Sequence, residues 1–170
     1  ELQTLTSLEA AAPAIALSGY ALYCALYVNE LMVRLLHKHD PHPELFCHYQ
    51  WTLQQLSVAD NLEQTLREFE LHLLAVIGYG LTLSNDINGA AITESDVYQL
   101  NLDGLFQVHE EQSNQDAARQ FSGNHLLLIG NKNWQDPATL KAAKRLLRLA
   151  LQPLLGEKPL QSRKLFRRDL

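Results

Sequence analysis

The stretch DPATLKAAKRLLRLALQPLLG (136–156) carries the clearest structural signal in this chain. Asp136 is a favourable N-cap, Pro137 suits the first helical position, and Gly156 is a typical residue at which a helix ends. Between them the apolar residues recur at helical spacing and share one face: Ala143, Leu146, Leu147, Ala150, Leu151 and Leu154. The stretch therefore predicts a long amphipathic helix that packs its apolar face against a core.

A second face of the same predicted helix is basic. Its cations follow the spacing i, i+3, i+4 and i+7: Lys141, Lys144, Arg145 and Arg148. From residue 139 onward the chain has nine Lys or Arg and two acids, whereas the first 138 residues have five and seventeen. This asymmetry favours a polyanionic partner such as nucleic acid. A solvated helix face whose cations stabilise the helix dipole is the structural alternative, and the pattern alone leaves both open.

Composition restricts the class of protein. A length of 170 residues fits one domain with a sizeable core. A net charge of −5 argues against a protein that coats nucleic acid generally, so any binding to nucleic acid should be local.

Cys24 and Cys47 lie in apolar helical patterns, and we expect both to be reduced core residues. No apolar run is long enough to cross a membrane, and no signal peptide is recognisable, so we expect a cytoplasmic location. Because the chain starts at Glu1 rather than Met, we expect either a fragment that lacks an N-terminal domain or a processed chain.

The preceding residues predict further helices. A helix over 19–38 is apolar almost all round in its first half, which is typical of a helix at the centre of a core. A second helix covers 44–56. Asp60 opens a third, with Glu63 completing a capping box, and this helix ends at Gly78.

A β-hairpin is predicted over 97–109, since Asp103-Gly104 between alternating runs favours a type I′ turn. Short helices are predicted near 115–121 and 123–129. The predicted fold class is mostly α, a helical domain of about five to six helices with a small β-hairpin insertion.

Signals for catalysis and for cofactors are weak. His37, His39 and His42 lie near Asp40, but their spacing matches no structural zinc pattern, so a polar surface loop is the better interpretation. We find no Cys-x-x-Cys pair, phosphate-binding loop, nucleophile elbow or dinucleotide signature. An enzyme is the least favoured class, and no cofactor is predicted.

Arg67 permits two interpretations. It is either a surface residue of the third helix, paired with Glu63 one turn earlier, or an anchor for a carboxylate brought by a partner. Arginine suits the second role because its planar fork binds a carboxylate with two hydrogen bonds.

Three blocks resemble the C-terminal domain of the bacterial RecO family of DNA repair proteins, in the order and spacing of that family. These blocks are LYVNELMVRLL (26–36), LREFELHLLAVIGYGL (66–81) and LKAAKRLLRLALQPLLGEKPLQSRKLF (140–166). The opening residues 1–17 resemble the end of the family's N-terminal OB-fold and a linker, with the rest of that domain absent, and 18–170 resemble its helical domain.

The resemblance implies a protein that binds single- and double-stranded DNA, anneals strands, and works with RecR to help load RecA. It also implies docking of the acidic C-terminal tail of single-stranded-DNA-binding protein, in a site expected to include Arg67, Leu66, Glu70 and Leu71. The cations expected to attract DNA phosphates are Lys141, Lys144, Arg145, Arg148, Lys158, Arg163 and Lys164. We expect these two surfaces to be separate.

Many members of the family carry four zinc-binding cysteines after the turn that corresponds to residues 78–80. This chain has no cysteine in that region, so it resembles the zinc-free branch, and no metal is expected. The resemblance as a whole favours a nucleoid-associated, non-enzymatic mediator of DNA repair. The alternative is a protein-interaction domain that binds an acidic protein partner without binding DNA.

Overall fold

The computed structural model describes residues 6–7, 9, 13–101, 103–108 and 117–167. Its regular elements are five α-helices and three short strands, with two 3₁₀ helices at Ala117–Arg119 and Ser162–Arg167. The α-helices are α1 (Gly19–Leu35), α2 (Pro43–Val58), α3 (Leu62–Val76), α4 (Gly123–Gly130) and α5 (Pro137–Leu155). The strands are β1 (Val97–Leu100), β2 (Phe106–Val108) and β3 (Gln120–Ser122). The mostly α fold class is confirmed.

Helix α5 begins and ends as its sequence predicts. The Asp136 side chain accepts a hydrogen bond from the Ala138 amide at 2.9 Å, and Gly156 ends the helix with φ of 65°. The helix joins two apolar clusters: Leu147 and Leu151 pack with helices α1–α3, whereas Leu146 packs with α4 and the sheet. Helix α5 therefore contributes to both apolar clusters and packs them against each other.

The C-terminus of α1 and the N-terminus of α3 differ from expectation. The cap of α3 is Asn61, whose side chain accepts from the Gln64 amide at 3.1 Å, so the predicted capping box of Asp60 with Glu63 is wrong. Helix α1 ends at Leu35 rather than at 38, and one stripe of it is exposed, with Leu22 at 41% and Leu26 at 42%. It therefore lies at the edge of the helical core.

The expectation for the two cysteines is half right. Cys24 is buried on α1, but Cys47 is exposed on α2. The core face of α2 runs through Leu45, Thr52 and Leu56, and Cys47 lies about 160° from Leu45 around the helix. An apolar pattern that wraps a helix does not reveal which side faces solvent.

The predicted hairpin forms but belongs to a three-stranded antiparallel sheet in the order β2-β1-β3. Its turn is not type I′, because that turn requires positive φ at both central residues. Among the described non-glycine residues only His39 and Lys132 have positive φ, so Asp103 does not qualify. Instead the Asn101 side chain accepts from the amides of Asp103 and Leu105, at 3.0 and 2.8 Å.

The helix predicted over 115–121 is wrong in its described part. Residues 117–119 form a single 3₁₀ turn, and Gln120–Ser122 is strand β3. Phe121 packs edge-on against Phe106, with ring centroids 6.2 Å apart. Gly123 then starts α4 where a Cβ atom would lie 1.8 Å from the Thr93 carbonyl oxygen, so only glycine fits this turn from strand to helix.

Candidate peptide and nucleic-acid interface

A cleft of about 500 Å³ opens between α1, α3, α5 and the 3₁₀ helix Ser162–Arg167. Its apolar and aromatic lining is supplied by Tyr20, Cys24, Tyr27, Leu62, Leu66 and Phe166. Its charged lining is supplied by Glu63, Arg67, Glu70, Lys144, Arg148 and Arg163. The cleft thus combines hydrophobic walls with four cations and two acids.

Arg67 lies at the base of this cleft and is buried rather than on the surface. Its Nη2 donates to Glu70 Oε1 at 3.0 Å, and the Tyr27 hydroxyl donates to the same oxygen. The side chains of Arg67 and Glu70 are only 7% and 2% exposed. The predicted pairing of Arg67 with Glu63 is therefore replaced by a buried ion pair with Glu70, one turn in the other direction.

This buried group of three residues retains hydrogen-bonding capacity. Arg67 Nε and Glu70 Oε2 are buried without a hydrogen-bond partner among the described residues. Burial, and then the charge of Glu70, raise the pKa of the Tyr27 phenol well above its ordinary value, so the phenol remains a donor. Glu70 therefore fixes the orientation of Arg67, and the guanidinium keeps an N–H group without a partner among the described residues.

Lys144 and Glu63 form the rim of the cleft. Lys144 Nζ lies 2.5 Å from Glu63 Oε1, and both side chains are about half exposed, at 51% and 54%. The hydrogen bond from Lys144 lowers the pKa of the Glu63 carboxyl. Because the pair is solvated, it is weak and can rearrange when a charged ligand arrives.

The four cations of α5 are exposed on one face, as predicted. Two of them already have partners within the protein. Lys144 binds Glu63, and Arg145 donates to the Gln120 carbonyl while its guanidinium carbon lies 4.4 Å from the centre of the Phe121 ring. Lys141 and Arg148 have no such partner among the described residues, so they are the cations most available to phosphates.

The cations beyond α5 occupy different settings. Lys158 is exposed after the helix end, and Lys164 donates to the Gln161 side chain at 2.7 Å. Arg163 is half-buried and lines the cleft, its guanidinium 5.9 Å from the centre of the Tyr27 ring. Since Lys144, Arg148 and Arg163 share the cleft with Arg67, the expectation of two separate surfaces is wrong.

Three of the four residues expected at a tail site meet in this cleft, namely Arg67, Leu66 and Glu70. Leu71 lies outside it, in a second groove of about 350 Å³ between the end of α3 and α4. Sequence reasoning missed Tyr27 and Phe166, which come from α1 and from the end of the described chain. The aromatic residues of the 20–27 stretch were a signal, but the helical pattern indicated only a core role.

The histidine loop is a surface feature. His37, His39 and Asp40 are exposed, and His42 Nε2 lies 3.3 Å from Asp40 Oδ2. In the part of the chain that the structure describes, no three His, Cys, Asp or Glu side chains form a group suited to a metal ion. Nor does any helix within that part have the length and apolar character needed to cross a membrane.

Comparison with known proteins agrees with this architecture. Residues 17–164 match the family model described as Recombination protein O C terminal. A DNA repair protein RecO of Pseudomonas paraeruginosa is 45% identical over 98% of this chain and 70% of its own length. DNA repair proteins RecO of Stutzerimonas stutzeri and Pseudomonas entomophila are 46% and 44% identical over 98% and 99% of the chain, and 69% and 72% of their own lengths.

Proposed function

Because this chain belongs to the recombination protein O family, we propose that it is a non-enzymatic DNA repair mediator that binds DNA and docks the C-terminal tail of single-stranded-DNA-binding protein. The relatives are DNA repair proteins, which supports the repair role. The observation that carries the docking proposal is the cleft, where apolar walls surround a buried arginine and three further cations.

The chemistry of the cleft matches an acidic peptide with an apolar carboxyl-terminal residue. Leu66 and Phe166 offer apolar surface to the terminal side chain, and Arg67 offers donors to the free carboxylate. Lys144, Arg148 and Arg163 raise the local positive potential toward upstream acidic residues. Glu70 holds the guanidinium in place before the peptide arrives, which reduces the entropy lost on binding.

DNA binding is assigned to the basic face of α5, with Lys141 and Arg148 as its most available cations. Contacts of this kind release counterions from phosphates, so binding should be sequence-tolerant and sensitive to salt. Aromatic side chains do not alternate with these cations, so base stacking has little part in the proposed contact. DNA binding further implies a cytoplasmic, nucleoid-associated protein.

The family resemblance extends the proposal to RecR as a direct partner, to RecA as the protein that is loaded, and to strand annealing. In this scheme the tail brings the mediator to coated single strands, and the basic face then contacts the exposed DNA. Attachment through a flexible tail raises the effective concentration of DNA near the basic face.

The test is a titration of two fluorescein-labelled peptides, each with three aspartates followed by isoleucine, leucine and phenylalanine. One ends in a free carboxylate and the other in an amide. We expect the amide to bind about tenfold more weakly, which corresponds to the loss of a hydrogen bond to a charged group. Equal affinities would exclude carboxylate recognition by Arg67, and no binding of either peptide would exclude the docking role.

A parallel salt series with labelled single-stranded homopolymer tests the DNA role. Binding that weakens steeply with salt is expected. If the free-acid peptide binds and DNA does not, the protein-interaction domain without DNA binding is the correct function.

A further inference from the structure

The last described residues of the chain, 157–167, return across α1 and form one wall of the cleft. We refer to them as the C-terminal segment. Arg163 and Phe166 of this segment line the cleft opposite Arg67. The shape of the cleft therefore depends on how firmly the segment is held against α1.

One carboxylate of α1 holds the beginning of the 3₁₀ helix in this segment. Glu30 Oε1 accepts from the Gln161 amide at 2.8 Å, and Oε2 accepts from the Ser162 amide at 2.8 Å and from its hydroxyl at 2.6 Å. Burial raises the pKa of the Glu30 carboxyl, but these hydrogen bonds outweigh it, so the pKa lies below its ordinary value. The carboxylate thus caps the 3₁₀ helix from more than 130 residues away in sequence.

The other attachments of the C-terminal segment are apolar or aromatic. Leu160 is buried at 3% exposure, and the Phe166 ring meets Tyr23 edge-on with centroids 6.0 Å apart. The remaining hydrogen bonds of the described residues in this segment are local, such as Lys164 to Gln161. Among the described residues, Glu30 makes the only hydrogen bonds between the C-terminal segment and the rest of the protein.

We propose that Glu30 is a positioning residue for the cleft: its carboxylate holds the C-terminal segment so that Arg163 and Phe166 form a binding wall for an acidic peptide. Glu30 does not line the cleft itself, so it acts through Arg163 and Phe166. This inference rests on the proposed peptide-docking function. It adds a residue that determines whether the docking site is complete.

The test uses Glu30→Gln, which keeps the size of the side chain but replaces one accepting oxygen with an amide donor facing backbone N–H groups. Glu94→Gln is the matched control, since Glu94 is exposed on a loop outside the cleft. Trypsin cleavage after Arg163 measures how well the segment is held, and affinity for the free-acid peptide measures the cleft. Cleavage is compared in the unmodified protein, Glu30→Gln and Glu94→Gln. Peptide affinity is compared in these three proteins and also in Arg163→Gln and the double variant Glu30→Gln/Arg163→Gln, with melting temperatures recorded throughout.

We expect Glu30→Gln to be cleaved at least fivefold faster and to bind the peptide about tenfold more weakly, with the control unchanged. The double variant should bind the peptide no more weakly than whichever of Glu30→Gln and Arg163→Gln has the lower affinity. The reason is that Glu30 acts through the wall that carries Arg163, so the two losses are not additive. Unchanged cleavage, unchanged affinity or additive losses would each overturn the proposal. Ser162→Ala, which removes only the hydroxyl bond, should give smaller changes in both readouts, and a full loss there would also overturn it.

Failure of the proposed function is distinguishable from failure of this inference. If the unmodified protein binds no peptide, docking itself is wrong and Glu30 has no peptide wall to position. The rate of cleavage after Arg163 then still reports whether Glu30 holds the segment to α1.

Discussion

The guanidinium of Arg67 is oriented by the carboxylate of Glu70, 3.0 Å away on the next turn of α3, with both side chains more than nine-tenths buried. A buried ion pair of this kind is costly to break from one side, because the remaining charge loses its partner. Arg67 is consequently both a proposed ligand-binding residue and a structural one. The effect of replacing Arg67 must therefore be measured on the free energy of unfolding as well as on peptide affinity.

We predict that Arg67→Ala weakens binding of the free-acid peptide by roughly 1.5–3 kcal/mol, the scale of a hydrogen bond to a charged group. It should also lower the free energy of unfolding by about 3–5 kcal/mol, because Glu70 is left buried and unpaired. Arg67→Lys keeps a charge beside Glu70 but not the planar fork, so it should lose affinity with a smaller loss of stability. Fluorescence anisotropy and urea unfolding check the two effects.

Arg119→Ala is the control for that experiment. Arg119 donates to the Leu100 and Asn101 carbonyls at 3.2 and 3.1 Å and does not line the cleft. It should lose stability without losing peptide affinity. If Arg67→Ala binds the peptide as tightly as the unmodified protein does, the carboxylate site must lie away from Arg67.

A second prediction separates the four cations of α5 by their partners. Each phosphate contact contributes about −0.7 to the slope of log affinity against log salt on single strands. Replacing Lys141 and Arg148 with Gln should flatten the slope by about 1.4. Replacing Lys144 and Arg145, which are engaged with Glu63 and Gln120, should flatten it less. Equal effects of the two pairs would show that these internal contacts do not restrict DNA binding.

Among the elements that form the fold and the cleft, helix α5 could be predicted from local sequence. Its caps, its apolar face and its basic face follow from residues within one or two turns of each other. Strand β3 could not be predicted in the same way, since three residues acquire strand geometry only by pairing with β1 across the intervening chain. Tyr27 and Phe166 were missed for a related reason, because their meeting around Arg67 depends on the packing of α1 with the C-terminal segment.

A third prediction follows from the cations that the two proposed surfaces share. Lys144, Arg148 and Arg163 line the cleft and also belong to the proposed set of DNA-binding cations. The free-acid peptide and single-stranded DNA should therefore weaken each other's binding several-fold, a coupling that is reciprocal by linkage. Displacement of labelled homopolymer by unlabelled peptide measures it, with the amide peptide at the same concentration as the control. Independent binding at saturating peptide would mean that DNA uses only Lys141 and cations outside the cleft.

Metal is expected to contribute nothing to folding. A structural zinc site needs thiolates or a closed set of histidines, and neither Cys24 nor Cys47 has a second cysteine near it in sequence. A strong chelator should leave the melting temperature unchanged, and elemental analysis should find less than stoichiometric zinc. A stoichiometric metal that is lost together with the fold would contradict this prediction.

The final prediction concerns two histidines whose rings are in contact between α2 and α3. The rings of His48 and His72 lie 4.1 Å apart, with Phe69 and Trp51 beside His48, and both Nε2 atoms are buried without a hydrogen-bond partner among the described residues.

Burial, and then nearby positive charge, lower the pKa of both imidazoles below the ordinary 6.5, and the acids Glu44 and Glu68 oppose this only in part. The unfolded chain consequently binds more protons than the folded one as pH falls through 6.5, so the free energy of unfolding should decrease from pH 7.5 to pH 5.5. Urea unfolding at the two pH values measures the decrease. His48→Phe should make it smaller by removing one titrating ring and its repulsion of His72, whereas His37→Phe, in the exposed loop, should leave it unchanged. An equal pH dependence in all three proteins would assign the acid sensitivity to groups other than this histidine pair.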